Sequence, residues 1–367
     1  VFLSDVLLPP KQPDLRPTLL KALTGPVPVS FDPGEIYSTG TIADYLGLPP
    51  DRAVPNVKVA IADTGLTFPH LLLAPWRGPS LVLSVVPTAP FPADFMGHGQ
   101  WVSTALWGSR FDTAYGPCVG MVDIPAFNTL HIKCLDDQGG GSVFQLLRAI
   151  EAAYLWGAQV LSLSMSGPLQ GTVFEDPLAK AIGKVYPQMS VLAAAGNAGP
   201  DAWTVEAPGA SPHALSVGSN GIASGRPSVF SARGPQADWY KTKPGLLSED
   251  AVRVQQLGLA PDSLHTPDVV VPGGDFSPRE MLYSGISGWM DGEIDGRLNA
   301  LEPLTGTSMS TPIMAGMFAL AKSRGMFNHV DDLKRGLGRV REQKSSDSGY
   351  GAVRWADMVA AARALRN

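Results

Sequence analysis

From Ser308 to Leu320 the chain is apolar on every side, with Met309, Ile313, Met314, Met317 and Phe318 set among small residues. A helix without a polar face has to lie inside a domain, so this stretch requires a chain able to surround it, and 367 residues suffice. Gly306 and Thr307 read as a tight turn ahead of the helix. Pro312 is expected in its first turn, where a missing N–H costs nothing. Ser308 opens the helix, so its hydroxyl stands beside unpaired backbone N–H groups and the positive end of the helix dipole. That setting suits a nucleophile whose reaction generates an oxyanion. The plainer reading is an N-cap serine.

The chain before this helix alternates between strand and helix signals. Residues 57–62 read as a buried strand ending at Asp63-Thr64-Gly65, and residues 81–86 as a second. Gly97-His98-Gly99 precedes a helix start at 102–106. Further strands are expected at 129–135, 160–164, 191–195, 214–217 and 267–271, with helices at 41–46, 144–156 and 178–185. Several of these strands are apolar throughout, which implies an α/β fold: a mostly parallel central sheet with helices on both faces, in three layers. In such sheets functional groups collect beyond the carboxyl ends of the strands, and both Asp63 and Asn197 directly follow one. Residues 1–38 are Pro-rich, with one short amphipathic piece at 17–23, and read as an arm lying on a single large domain, 39–367.

Composition narrows the function classes. A net charge of −5 gives no electrostatic reason to expect nucleic acid as a partner, and no apolar run approaches the roughly 20 residues of a membrane span. Cys118 and Cys134 could form one disulfide or remain two buried thiols, and they lack the spacing of a metal site. The chain opens at Val1 without a charged start and an apolar core, so no signal peptide is expected in this sequence, and a processed form would read alike.

Asp63, His98 and Ser308 occur in that order. Their contexts are Val59-Ala-Ile-Ala-Asp-Thr-Gly65, Gly97-His-Gly99 and Gly306-Thr-Ser-Met-Ser-Thr-Pro312, with Ala194-Ala-Gly-Asn-Ala-Gly199 between the second and third. Taken singly, Asp63-Thr-Gly could be a turn and Asn197 a left-handed loop residue. Together, and with Gln159-Val-Leu-Ser-Leu-Ser164, Ser231-Ala-Arg-Gly-Pro235, Pro267-Asp-Val-Val-Val-Pro272 and Gly349-Tyr-Gly351, the chain resembles the subtilisin-like serine proteases over residues 54 to 362. The resemblance implies a subtilisin-like fold and an endopeptidase. His98 would be the base for Ser308, Asp63 would orient and stabilise the imidazole, and Asn197 would donate to the oxyanion with the Ser308 backbone N–H. Thr307 would support that oxyanion site from behind. A transamidase with the same triad, and an inactive peptide-binding scaffold, are the alternatives. The other five histidines, His70 among them, are expected to be structural or on the surface.

The resemblance also places the substrate. Gly139, Gly140 and Gly141 match one segment that sandwiches an extended peptide, and Ser164, Met165 and Ser166 match the other, while Ala195 and Gly196 lie beside them. Without the family, the glycine triplet reads equally as a flexible loop. Glu206, in Val205-Glu-Ala-Pro-Gly209, aligns with the floor of the pocket for the residue before the cleaved bond (P1). A carboxylate there would favour a basic P1 side chain, unless it turns to solvent. Gln100 and Trp101 depart from the family pattern and are expected to reshape the neighbouring P2 site. Residues 236–267 read as an insertion carrying a surface helix with Ser248 as N-cap and Gly258 at its end. No cofactor is required. Calcium is conceivable as a structural ion, but no metal site is placed. A separate propeptide or inhibitor is a further partner the resemblance allows, and a secreted or extracytoplasmic location follows from the resemblance alone.

Overall fold

The computed structural model describes residues 36–67, 73, 81–234, 244–276, 279–286, 301–341 and 344–366. The arm up to residue 35, His70 and the first part of the expected insertion lie outside the described residues. The elements run β1 (Ile36–Ser38), α1 (Thr39–Tyr45), β2 (Val59–Asp63), β3 (Leu81–Ser84), α2 (His98–Trp107), β4 (Phe111–Thr113), β5 (Gly116–Cys118), β6 (Thr129–Lys133), α3 (Val143–Trp156), β7 (Val160–Leu163) and α4 (Pro177–Val185). They continue β8 (Ser190–Ala194), β9 (Ala214–Asn220), α5 (Pro244–Gln256), β10 (Val269–Pro272), β11 (Asp275–Phe276), β12 (Arg279–Gly285), β13 (Leu301–Leu304), α6 (Thr307–Ser323), α7 (Val330–Val340) and α8 (Trp355–Arg366).

Among the described residues seven strands form one sheet in the order β10-β9-β8-β7-β2-β6-β3, and every neighbouring pair is parallel. The alternation along a strand sends successive side chains to opposite faces. On β2, Val59 and Ile61 enter the core shared with α2, α6, α7 and α8, whereas Ala60 and Ala62 enter the core under α3 and α4. Both faces are therefore covered, as the unbroken apolar strands require.

The caps are written into the sequence. Ser142 and Gln145 form a reciprocal capping box at the start of α3, and the Asp176 carboxylate caps α4 ahead of Pro177. α6 is the helix required by the apolar run, with residues 307–321 buried. Pro312 differs from expectation: the helix begins at Thr307, so Pro312 is its sixth residue and lies in the interior. Its missing N–H forgoes the intrahelical bond to the Ser308 carbonyl. α5 starts five residues earlier than expected, on Pro244, so Ser248 is in its body and not at its cap. Proline's fixed φ suits a first helical position. Its Val254 is buried with Leu259, Phe174 and Val173 while Val252 faces outward.

Several elements were not among those expected. Ile36–Ser38, at the end of the expected arm, pairs in parallel with β12, and β12 also pairs antiparallel with β11 and β13 to form a small second sheet. α7 and α8 pack on each other at the end of the chain; Val330, Leu333 and Leu337, and Trp355, Met358 and Ala362, give their buried stripes. Cys118 and Cys134 are free buried thiols.

Candidate active site

Four of the parallel strands end on the same side of the sheet, and their last residues or the ones just beyond build the site: Asp63 at the end of β2, Lys133 at the end of β6, Ser164 after β7, and Ala195, Gly196 and Asn197 after β8. α2 and α6 bring their N-termini to it with His98 and Ser308. Asp63 is fully buried. Its Oδ1 accepts from the Thr64 N–H at 2.7 Å and lies 2.7 Å from His98 Nδ1. Its Oδ2 has no hydrogen-bond partner among the described residues, and neither has His98 Nε2. Burial alone would lower the His98 pKa; the charge and hydrogen bond of Asp63, aided by Asp94, outweigh it and hold the imidazole above its ordinary value.

His98 is the first residue of α2, entered through Gly97 at φ +91°, a backbone state that few side-chain-bearing residues take. What holds this entry is Asp94, which the motif reading does not pick out. Its Oδ1 accepts from the N–H groups of Met96 and Gly97 and from the Thr64 hydroxyl, and its Oδ2 accepts from the Gln100 N–H. The Thr64 hydroxyl in turn accepts from the Gly99 N–H at 2.8 Å. Asp94 and Thr64 thus join the Asp63 turn to the helix carrying His98. Burial raises the Asp94 carboxyl above the usual range despite those hydrogen bonds. A carboxylate just ahead of a helix start is the sequence signal that could have found it.

Ser308 is the second residue of α6 and 4% exposed. Its hydroxyl donates to the Ser164 carbonyl at 2.9 Å, so in this state it is not given to His98. Asn197 Oδ1 accepts from the Thr307 N–H and from the Thr307 hydroxyl, each at 2.9 Å. Nδ2, the donor end of the amide, lies against Gly306, at whose position an added Cβ would meet it at 3.4 Å. Asn197 and Thr307 are therefore joined by two hydrogen bonds.

The residues expected on the substrate side fall into two groups. Ser166 and Glu206 are brought together because Gly167 and Ala207 exchange both backbone hydrogen bonds, each 2.8 Å. The Ser166 hydroxyl donates to Glu206 Oε2 at 2.7 Å, and a Cβ at Gly196 would come within 3.1 Å of the same oxygen. Glu206 is half-buried and turned toward Gly196, with no basic partner among the described residues, and burial raises its carboxyl above the usual range although the Ser166 hydrogen bond opposes this. Met165 is buried beside Ser166, and the Ala195 carbonyl accepts from the Glu206 N–H. On the other side, Gly139, Gly140 and Gly141 form a buried turn after β6. It is closed by Asp136, whose N–H donates to the Gly140 carbonyl at 2.7 Å and whose carboxylate accepts from the Gly140 N–H at 2.9 Å.

The expected reshaping by Gln100 and Trp101 is not what the side chains do. Both are fully buried: Gln100 accepts from the Thr67 N–H, and Trp101 packs in the main core and donates to the Glu302 carbonyl. They stand on α2 behind His98, where helical geometry points them into the protein. His131, also fully buried, sits 2.8 Å from the Ser103 hydroxyl, and burial lowers its pKa to about 4. No cluster of three or more His, Cys, Asp or Glu side chains among the described residues is placed to hold a metal ion.

The family model described as the subtilase family matches residues 55–337. The serine protease AprX of Bacillus subtilis is 27% identical over 329 residues, covering 81% of this chain and 65% of that protein. Pyrolysin of Pyrococcus furiosus is 28% identical over 254 residues, covering 66% of this chain and 17% of that protein. Subtilisin Savinase of Lederbergia lenta is 27% identical over 292 residues, covering 77% of this chain and 85% of that protein. The chain thus spans less than two thirds of the length of the first two.

Proposed function

The chain belongs to the subtilase family, and from that membership we propose that it is a serine endopeptidase acting through an acyl-enzyme on Ser308. The observation that carries the reading is the buried 2.7 Å contact between Asp63 Oδ1 and His98 Nδ1, which leaves Nε2 as the imidazole atom without a partner among the described residues. In this reading the Ser308 hydroxyl exchanges the Ser164 carbonyl for that nitrogen as the substrate binds. As Oγ attacks the scissile carbonyl, Nε2 takes its proton, and the imidazolium is stabilised by Asp63. The negative charge that forms on the substrate oxygen is met by the Ser308 N–H and Asn197 Nδ2. Collapse breaks the peptide bond, with the His98 proton passing to the leaving amine. Water activated by the same imidazole then frees the acyl group. All of these groups belong to the chain, so the steps call for no cofactor.

The substrate in this reading is an extended segment of polypeptide, laid between residues 139–141 and 164–166 and held through its main chain. Glu206 makes the P1 site selective for Arg or Lys. The support is its position against Ser166 and Gly196 without a cation of its own. Action outside the cytoplasm belongs to the same proposal and rests on the family; no helix among the described residues is long and apolar enough to cross a membrane. Gln100 and Trp101, whose departure from the family pattern suggested an inactive scaffold, are both turned inward. The test is labelling by a fluorophosphonate, with Ser308→Ala as control, followed by product analysis on a defined peptide. Labelling that needs Ser308, with free carboxyl products, supports the reading. An unlabelled wild type would reduce the fold to a binding scaffold, and acyl transfer to an added amine in place of water would make it a transamidase.

A further inference from the structure

Lys133 ends β6, register-paired with Asp63 of β2, and its side chain is fully buried. A buried ammonium is tolerated only where each of its three N–H donors is met. Here the acceptors come from three separate segments. One is the carbonyl of Thr64, the residue after Asp63. Another is the carbonyl of Ala93, ahead of the turn that leads into His98, at 3.1 Å. The third partner is met as an ion pair and not as a hydrogen bond: the carboxylate of Asp137, at 2.7 Å, in the turn that continues into Gly139, Gly140 and Gly141.

These segments do not hold one another by hydrogen bonds alone. The Asp63 turn and the residues before His98 meet at Gly65, where an added Cβ would come within 2.6 Å of the carbonyl oxygens of both Pro92 and Ala93. Converging carbonyl oxygens repel unless a positive donor lies between them, and Lys133 supplies that donor to the Thr64 and Ala93 carbonyls. The same ammonium is anchored to the substrate-side turn through Asp137. We infer that Lys133 is a positioning residue that ties the Asp63 turn, the approach to His98 and the peptide-binding turn at 139–141 into one unit, so that main-chain docking of the substrate is coupled to the alignment of the Asp63–His98 pair. The inference rests on the serine-protease reading above.

The test uses the full chain, with Lys133→Met removing the ammonium at nearly constant length and Lys133→Gln keeping two amide donors in case the first variant does not fold. Active sites are titrated to completion with a fluorophosphonate. Then kcat and KM are measured per titrated site on a peptide that fills the 139–141 edge and on a single-residue ester that does not. The expected result is a fall in kcat of about 100-fold on both substrates, the scale of a 1 Å misalignment. The advantage of the long peptide over the ester in kcat/KM should shrink as well. A variant that merely packs less well loses thermal stability and titratable sites, but keeps wild-type kcat, KM and substrate ratio at each site; that outcome overturns the inference and leaves the protease reading standing. A wild type that is neither labelled nor active overturns both.

Discussion

The side-chain oxygen of Asn197 accepts two hydrogen bonds from Thr307, one from the backbone N–H and one from the hydroxyl, each 2.9 Å long. Two donors on one oxygen fix the amide plane, and the residue that fixes it is the immediate neighbour of Ser308. The donor end of Asn197 and the candidate nucleophile are therefore set by one helix terminus. Asn197→Ala is expected to lower kcat by roughly 10²–10³, about 3 kcal/mol, with little change in KM, because the lost donor acts on charge that forms in the transition state. Thr307→Val should cost less, since the backbone donor remains. Steady-state kinetics decide it, and a rise in KM at constant kcat would show that Asn197 serves ground-state binding instead.

The acid limb of kcat/KM is expected above the ordinary histidine value of about 6.5, since Asp63 and Asp94 hold the His98 pKa up against the effect of burial. The imidazole must be neutral to accept the Ser308 proton, so activity is full above that raised value and falls as the pH drops through it. Asp63→Asn should lose about 10⁴ in turnover. A profile flat from pH 8 to pH 5 would remove His98 from the role of base.

Glu206 is expected to select Arg or Lys at P1. A half-buried carboxylate with only a hydroxyl donor gains a bidentate partner when an Arg side chain enters. Burial holds its carboxyl above the usual range, so the preference should weaken as the pH falls and the carboxylate takes a proton. A P1-varied peptide library on wild type and Glu206→Gln reads this directly. The same apolar preference in both proteins would refute the assignment.

Asp268 joins two buried lysines, with Lys344 Nζ at 2.6 Å and Lys334 Nζ at 3.1 Å. Burial would raise its carboxyl; Lys334 and Lys344 outweigh that and hold it below the usual range. A carboxyl depressed in the folded state stabilises the fold above its unfolded value of about 3.9, and that contribution is lost as the pH falls through the folded value. Asp268→Asn leaves the buried Lys334 ammonium without its carboxylate and Lys344 with only the more distant Asp262, at 3.8 Å, and is expected to cost about 3–5 kcal/mol at pH 7. Denaturant unfolding of the two proteins tests it, with equal midpoints as the contrary result.

What the sequence determined by itself was whatever rests on near neighbours in the chain. The apolar run after Ser308 required a buried helix, strands apolar on both faces required a covered parallel sheet, and the spacing of apolar residues over 144–156 announced α3. The contexts of Asp63, His98, Ser308 and Asn197 are short motifs, so their candidacy was legible too. The stripes of α7 and α8 are equally local. Tertiary structure alone decided which partner each polar side chain would find. Lys133 reads in sequence like any strand-end lysine, yet its acceptor at Thr64 is 69 residues away. Ser308 gives its hydroxyl to a carbonyl 144 residues earlier, and Glu206 is turned inward by Ser166, 40 residues before it. Periodicity carries the direction of a side chain from its own element only; which element stands opposite is fixed by sheet order and crossing connections, and a buried charge is tolerated only where that distant element supplies its counterpart.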